Sequence, residues 1–194
     1  MRTRTSTVPT GGRSVVALAE RCRRTALVFT NGAEAWTKKE LAAWLVGPYR
    51  EATRSGSLPP PPPPRSESPH RQKVERVEHA AVDHLLSDAH VQVVTALENV
   101  AISRTKIGFA QHFVVNNTVK QVVDHARMIG WIPVDVPRMH LAHRVLALFA
   151  ADALTRPADY ETLAVCHRCE RVRFRNLEER CGCGRDARPA DKKR

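Results

Sequence analysis

Cys166-His167-Arg168-Cys169 and Cys181-Gly182-Cys183-Gly184 hold four of the five cysteines of this chain, with residues 170–180 between them. Two thiolates at CxxC spacing take two corners of a zinc tetrahedron from one tight turn, and a second pair closes the other two. The intervening Glu170-Arg171-Val172-Arg173-Phe174-Arg175 alternates polar with apolar residues, the period of one strand in a small hairpin. So short a segment buries little, which makes a metal its natural staple. The second pair is CxC rather than CxxC. Gly182 and Gly184 supply the backbone freedom that a tight ligand turn needs. His167 is the alternative ligand if both sulfurs of that pair do not reach. The expected site is one structural zinc on Cys166, Cys169, Cys181 and Cys183.

A redox CxxC and a disulfide pair are the competing readings. A redox motif sits near a βαβ pattern, which this sequence lacks. Met1-Arg2-Thr3-Arg4 opens no apolar run of signal-peptide length, so reduced thiols in a cytoplasm are expected. The fifth cysteine, Cys22, falls on the apolar face of a predicted helix and reads as core.

The 194 residues suffice for one domain or two small ones, and they carry a net charge of +11. The excess is uneven: ten basic against four acidic residues in 1–54, eleven against nine in 55–157, none against two in 158–165, ten against five in 166–194. Basic ends around a balanced middle favour a polyanionic partner, most simply nucleic acid. No apolar run reaches membrane-spanning length.

Residues 1–13 read as a disordered basic tail and 14–54 as an N-terminal helical region. There Val15, Leu18, Ala19, Cys22, Ala26 and Phe29 keep helical spacing until Asn31-Gly32. Thr37-Lys38-Lys39-Glu40 is a capping box opening a short helix, with Trp36 and Trp44 inward and Gly47-Pro48 as its end. These helices are expected to dock on the middle of the chain or on a partner. Residues 55–72, with prolines from Pro59 to Pro64, read as a stiff polyproline linker, the alternative being a ligand for an SH3-like or WW-like module. Residues 73–157 are expected to be helical, with a new helix capped at Ser87 or Asp88. His140 and His143 read as surface or packing residues.

Within that region Ser103 precedes a predicted helix 104–113, Val114 to Asn117 a turn, and Thr118 a second helix ending at Gly130. The succession resembles a helix-turn-helix, in particular the core of winged-helix DNA-binding domains, over about residues 88–134. Ile129-Gly130-Trp131-Ile132 matches the glycine–aromatic–aliphatic step with which such cores leave their second helix. Pro133-Val134-Asp135-Val136-Pro137 departs from the family by leaving no room for a wing. The resemblance implies that Asn116, Asn117, Thr118, Lys120, Gln121 and Arg127 face DNA, where Asn and Gln suit adenine, Arg guanine and Lys phosphate. Arg104 and Lys106 would take phosphates, as would Arg171, Arg173 and Arg175 on one strand face.

An apolar helix, here Val145–Leu154, leading into a cysteine module, 158–184, followed by a basic tail 185–194, also resembles bacterial zinc-containing transcriptional activators of the FlhC kind. The expected fold is mainly α: a helical bundle with a helix-turn-helix core plus a small C-terminal zinc-ribbon-like β hairpin. The expected function is a DNA-binding transcriptional regulator with a structural zinc. The alternatives are a zinc-containing protein–protein interaction factor, for example for RNA polymerase or another regulator, and an RNA- or ribosome-associated zinc-ribbon protein; the partner expectations include a homo- or hetero-oligomer. No Gly-rich phosphate loop, nucleophile signature or apolar carboxylate pair is present to predict an enzyme.

Overall fold

A helix that is apolar over most of its surface has to be surrounded, and α6, Leu141–Thr155, is such a helix. The computed structural model describes residues 12–53, 72–103, 106–124, 127–134, 139–166, 168–176 and 183. In it Val145, Leu148 and Phe149 of α6 are fully buried. Ala142, Ala147, Ala150, Ala151 and Ala153 are buried too, and their small side chains let neighbouring elements approach closely. Around α6 pack α1 (Gly12–Thr30), α4 (Gln72–Ile102) and α5 (Gly108–Val115), while the short α2 (Lys38–Trp44) touches α4 and α3 (Arg50–Thr53) touches α1.

The protein is mainly helical, with two antiparallel hairpins among the described residues. Strand β1 (Val119–Asp124) pairs with β2 (Arg127–Pro133), which lies on α1 and α6. Near the C-terminus β3 (Leu163–Val165) pairs with β4 (Val172–Phe174), and β3 lies on α4. One hydrophobic core joins Cys22 and Phe29 of α1 to Phe174 of β4, so the N-terminal helices and the cysteine hairpin belong to the same packing unit. Among the described residues no helix is long and apolar enough to cross a membrane.

Several expectations hold. Helix α1 ends just before Asn31-Gly32, and the Thr37 capping box forms, with the Glu40 carboxylate accepting from the Thr37 amide at 2.6 Å. Trp44 is buried against Phe29 and Tyr49, at ring-centroid distances of 5.2 and 5.1 Å. Others need correction. Gly47-Pro48 does not end the helix: the chain passes through one wide π turn, Leu45–Tyr49, into α3. Proline lacks the amide and crowds the carbonyl four residues back, and a wider turn accommodates both. Helix α4 runs unbroken through Ser87 and Asp88, because Leu86, Ala89, Val93 and Leu97 keep one buried face across them.

The largest correction concerns the predicted recognition helix, which is the β1–β2 hairpin. Asn117 has φ 55, in the left-handed region, whereas an N-cap needs extended backbone. The Thr118 amide and hydroxyl both donate to the Phe113 carbonyl, at 2.9 and 3.1 Å, closing the turn after α5. Val119, Val122 and Val123 are β-branched and suit a pleated strand better than a helix. The ladder slips between Val122 and Val123, and opposite it Gly130 takes φ 152, which only glycine adopts without strain. Among the described residues, then, α5 is followed by a strand pair and not by a second helix. The tail 1–11, linker residues 54–71 and the tail 185–194 lie outside the described residues.

Asn31, just past α1, pairs with β4 as a strand would. Its amide nitrogen donates to the Val172 carbonyl at 2.9 Å and its oxygen accepts from the Val172 amide at 2.8 Å. Asn31→Ala leaves both backbone groups without this partner and should lower stability by ~1–3 kcal/mol, read as a shift in the urea midpoint at unchanged m.

Candidate metal centre

The turn between β3 and β4 is where the cysteines meet. The Cys166 amide donates to the Arg171 carbonyl at 3.0 Å, and the Glu170 amide to the Cys166 carbonyl at 2.7 Å. Glu170 adopts φ 53 to make the reversal. This brings the sulfurs of Cys166 and Cys169 together with that of Cys183, all within 4.8 Å of one another. Cys166 Sγ lies 3.6 Å from Cys183 Sγ. A disulfide needs ~2.05 Å, whereas the edge of a tetrahedron around zinc, at ~2.3 Å per Zn–S bond, is roughly 3.8 Å. The spacing fits a shared metal and not a bond between sulfurs.

Electrostatics agree. The amides of Arg168 and Cys169 donate to the Cys166 sulfur, and with Cys169 and Cys183 they pull its pKa down to about 6 against the opposing effect of burial. A thiolate is thus present at neutral pH, the form a metal takes. Cys166, Cys169 and Cys183 can together hold a metal ion. Cys181 and His167 lie outside the described residues. Cys22 is the opposite case: burial, reinforced by the nearby Asp152 charge, pushes its thiol up to about 12. It is an inert core side chain, as expected from its helical position.

Beside the hairpin, α1 and β4 enclose a cleft of about 690 Å³. Four arginines line it, Arg23, Arg24, Arg171 and Arg173, together with a single acid, Glu20. Arg23 and Arg173 are buried, whereas Arg24 and Arg171 are exposed at its rim. Arg23 is fixed by Asp152, at 2.7 Å from its Nε, and by Asp159, at 2.7 Å from its Nη2, and its guanidinium stacks 4.1 Å over the Phe174 ring. Its Nη1 is buried without a hydrogen-bond partner. Asp152, fully buried, also accepts from Arg156 at 2.6 Å and lies 3.0 Å from the Tyr160 hydroxyl. Burial pushes the Asp152 carboxyl up, opposed first by Arg23 and then by Arg156. Sequence reasoning missed this network; the available signal was an aspartate inside the otherwise apolar run of α6.

The residues expected to face DNA are scattered. Arg104 lies outside the described residues. Lys106 reaches back to the Glu161 carbonyl at 3.3 Å. Asn116 is tied to the His112 carbonyl at 2.9 Å, Asn117 is exposed in its left-handed turn, and Thr118 is buried. Lys120 and Gln121 are exposed but successive on β1, so they do not share a helical face with Asn117. Arg127 sits in β2 opposite Asp124. Arg171 and Arg175 are exposed, but Arg173, opposite Ala164, is only 2% exposed and does not stand with them on an outer face. His140 is exposed and His143 stacks 4.6 Å from Phe113, the surface and packing places expected of them. In comparisons with known proteins no family model matches the chain, and neither a curated protein nor a solved structure does.

Proposed function

We propose that the protein binds phosphate-bearing polyanions, with duplex DNA as its partner, zinc as its metal and transcriptional regulation as its role. One observation carries it: the exposed Arg24 and Arg171 flank the cleft between α1 and the cysteine hairpin, above the buried Arg173 and an Arg23 already paired with Asp152 and Asp159. The exposed Arg24 and Arg171 are placed to meet phosphate oxygens, to which guanidinium binds in a fork. Arg23 Nη1 offers a further donor at the buried end. The net charge of +11 supplies long-range attraction. Zinc is the metal that a set of thiolates selects among common divalent ions in a reducing compartment. Base reading by an inserted helix has no part in this proposal, since the segment expected to do it is a hairpin.

The test is duplex affinity against salt. Arg24→Ala and Arg171→Ala should each weaken every duplex and flatten the slope of log K against log[salt] by ~0.9 per lost phosphate contact. An unchanged slope in both variants, or no binding at low salt, overturns the proposal. The apolar Leu27, Val28 and Phe174 in the same cleft favour a second reading, an anionic small molecule with an apolar body. Its mark is a rise in Tm with an aromatic carboxylate or phosphate, lost in Arg171→Ala, with no duplex binding.

A further inference from the structure

His90, on α4, is buried and makes one hydrogen bond: its Nε2 lies 3.0 Å from the Thr30 carbonyl oxygen. A carbonyl only accepts, so Nε2 carries the hydrogen and donates. That leaves Nδ1, and around it stand Glu34 Oε1 at 3.2 Å and Glu170 Oε2 at 3.9 Å. The three atoms lie within 4.8 Å of one another. Three lone-pair donors converge on one small volume, an arrangement that a bound cation would stabilise.

Nδ1 has no hydrogen-bond partner: a hydrogen in the ring plane would not point along the line to either carboxylate. The His90 side chain is only 5% exposed, so an unpartnered Nδ1 is costly there. An ion bonded to each donor at ~2.1 Å and at tetrahedral angles holds them roughly 3.4 Å apart, with no need for any donor to point at another. The observed 3.2 and 3.9 Å bracket that value. The Nε2–H donated to a backbone carbonyl is also the outer-shell bond that orients a metal-binding histidine.

We infer that Glu34, His90 and Glu170 form a second metal site, separate from the cysteine centre, for a divalent cation that accepts imidazole and carboxylate, such as zinc or manganese. Arg171, which stands at the rim of the arginine cleft, also lines the cavity beside this site. Its donors come from the 3-10 turn Ala33–Ala35, from α4 and from the cysteine turn, where Glu170 follows the ligand Cys169. Occupation therefore ties the cysteine hairpin to the helical core. A cleft of about 420 Å³, lined by Glu34, His90, Cys169 and Cys183, adjoins both sites and leaves room for water or an exogenous ligand on the ion.

The test uses the full chain carrying its thiolate-bound metal, titrated calorimetrically with zinc and, in parallel, manganese. A second equivalent should bind in wild-type protein. Glu34→Gln and Glu170→Gln keep side-chain size at exposed positions, so the fold and the first equivalent should persist. Each should weaken the second equivalent by at least the ~10–100-fold that loss of an outer-shell partner costs. His90→Gln should abolish it, and its circular dichroism should be checked against wild type. A single equivalent in wild-type protein at saturating zinc and manganese overturns the inference. So does a second equivalent that both glutamine variants bind unchanged.

Discussion

Removing the metal should release the β3–β4 hairpin and expose part of the core with it. Structural zinc in small peptides contributes ~10–16 kcal/mol of apparent binding energy at neutral pH, and that energy is folding energy where no site exists beforehand. Here the hairpin also rests on burial, since Leu163, Val165, Val172 and Phe174 are all at most 7% exposed. The expected result is thus not a fully unfolded chain. Amide exchange should rise sharply in residues 163–174, Val172 and Phe174 should lose protection, and α6 should stay protected longest. Cys166→Ser should reproduce the chelator result. Equal exchange across 163–174 with and without metal would show that the cysteines hold nothing structural.

The second large effect lies at Asp152. Asp152→Ala strips Arg23 of its Nε partner at 2.7 Å and leaves a guanidinium that is 4% exposed with only Asp159 to balance it. Breaking a buried pair from one side typically costs ~3–5 kcal/mol, because the remaining charge stays desolvated. Urea unfolding should shift by that amount, a large share of a small domain's stability. Combining Asp152→Ala with Arg23→Met should cost less than the two single changes added, since no lone charge then remains beside the Phe174 ring. Additive losses would mean that the two side chains are not coupled.

What was legible in the sequence was local. The CxxC spacing, the alternation of Val172 and Phe174 and the Thr37–Glu40 box each carry their own geometry, and each appears where expected. The recognition helix failed because Val119, Val122, Val123 and Ile129 satisfy a helical period while also suiting strands. The deciding facts, the left-handed turn at Asn117 and the extended Gly130, are backbone states that the period does not encode. Arg173 was misplaced for a related reason. Alternation assigns residues to two faces of a strand but does not say that both faces are covered. The pairing of Arg23 with Asp152 and Asp159 and the Glu34–His90–Glu170 cluster could not be read because tertiary packing alone brings them together, whereas Arg156 lies four residues from Asp152 and three from Asp159, a local signal that went unread.

The attachments of α1 also set the order in which the chain folds. Arg23 waits for Asp152 and Asp159, 129 and 136 residues later, and Asn31 for Val172, 141 residues later. At ~5–20 residues per second of synthesis, α1 emerges on the order of ten seconds before its partners exist. During that interval Cys22, Ala26 and Phe29 have no α6 to cover them, and the guanidinium of Arg23 remains in water. Contacts of such sequence separation slow folding, because a long loop must close before they form. The last steps of folding should therefore be the docking of α1 onto α6 and of β4 onto Asn31, with the first helix among the last elements to gain protection.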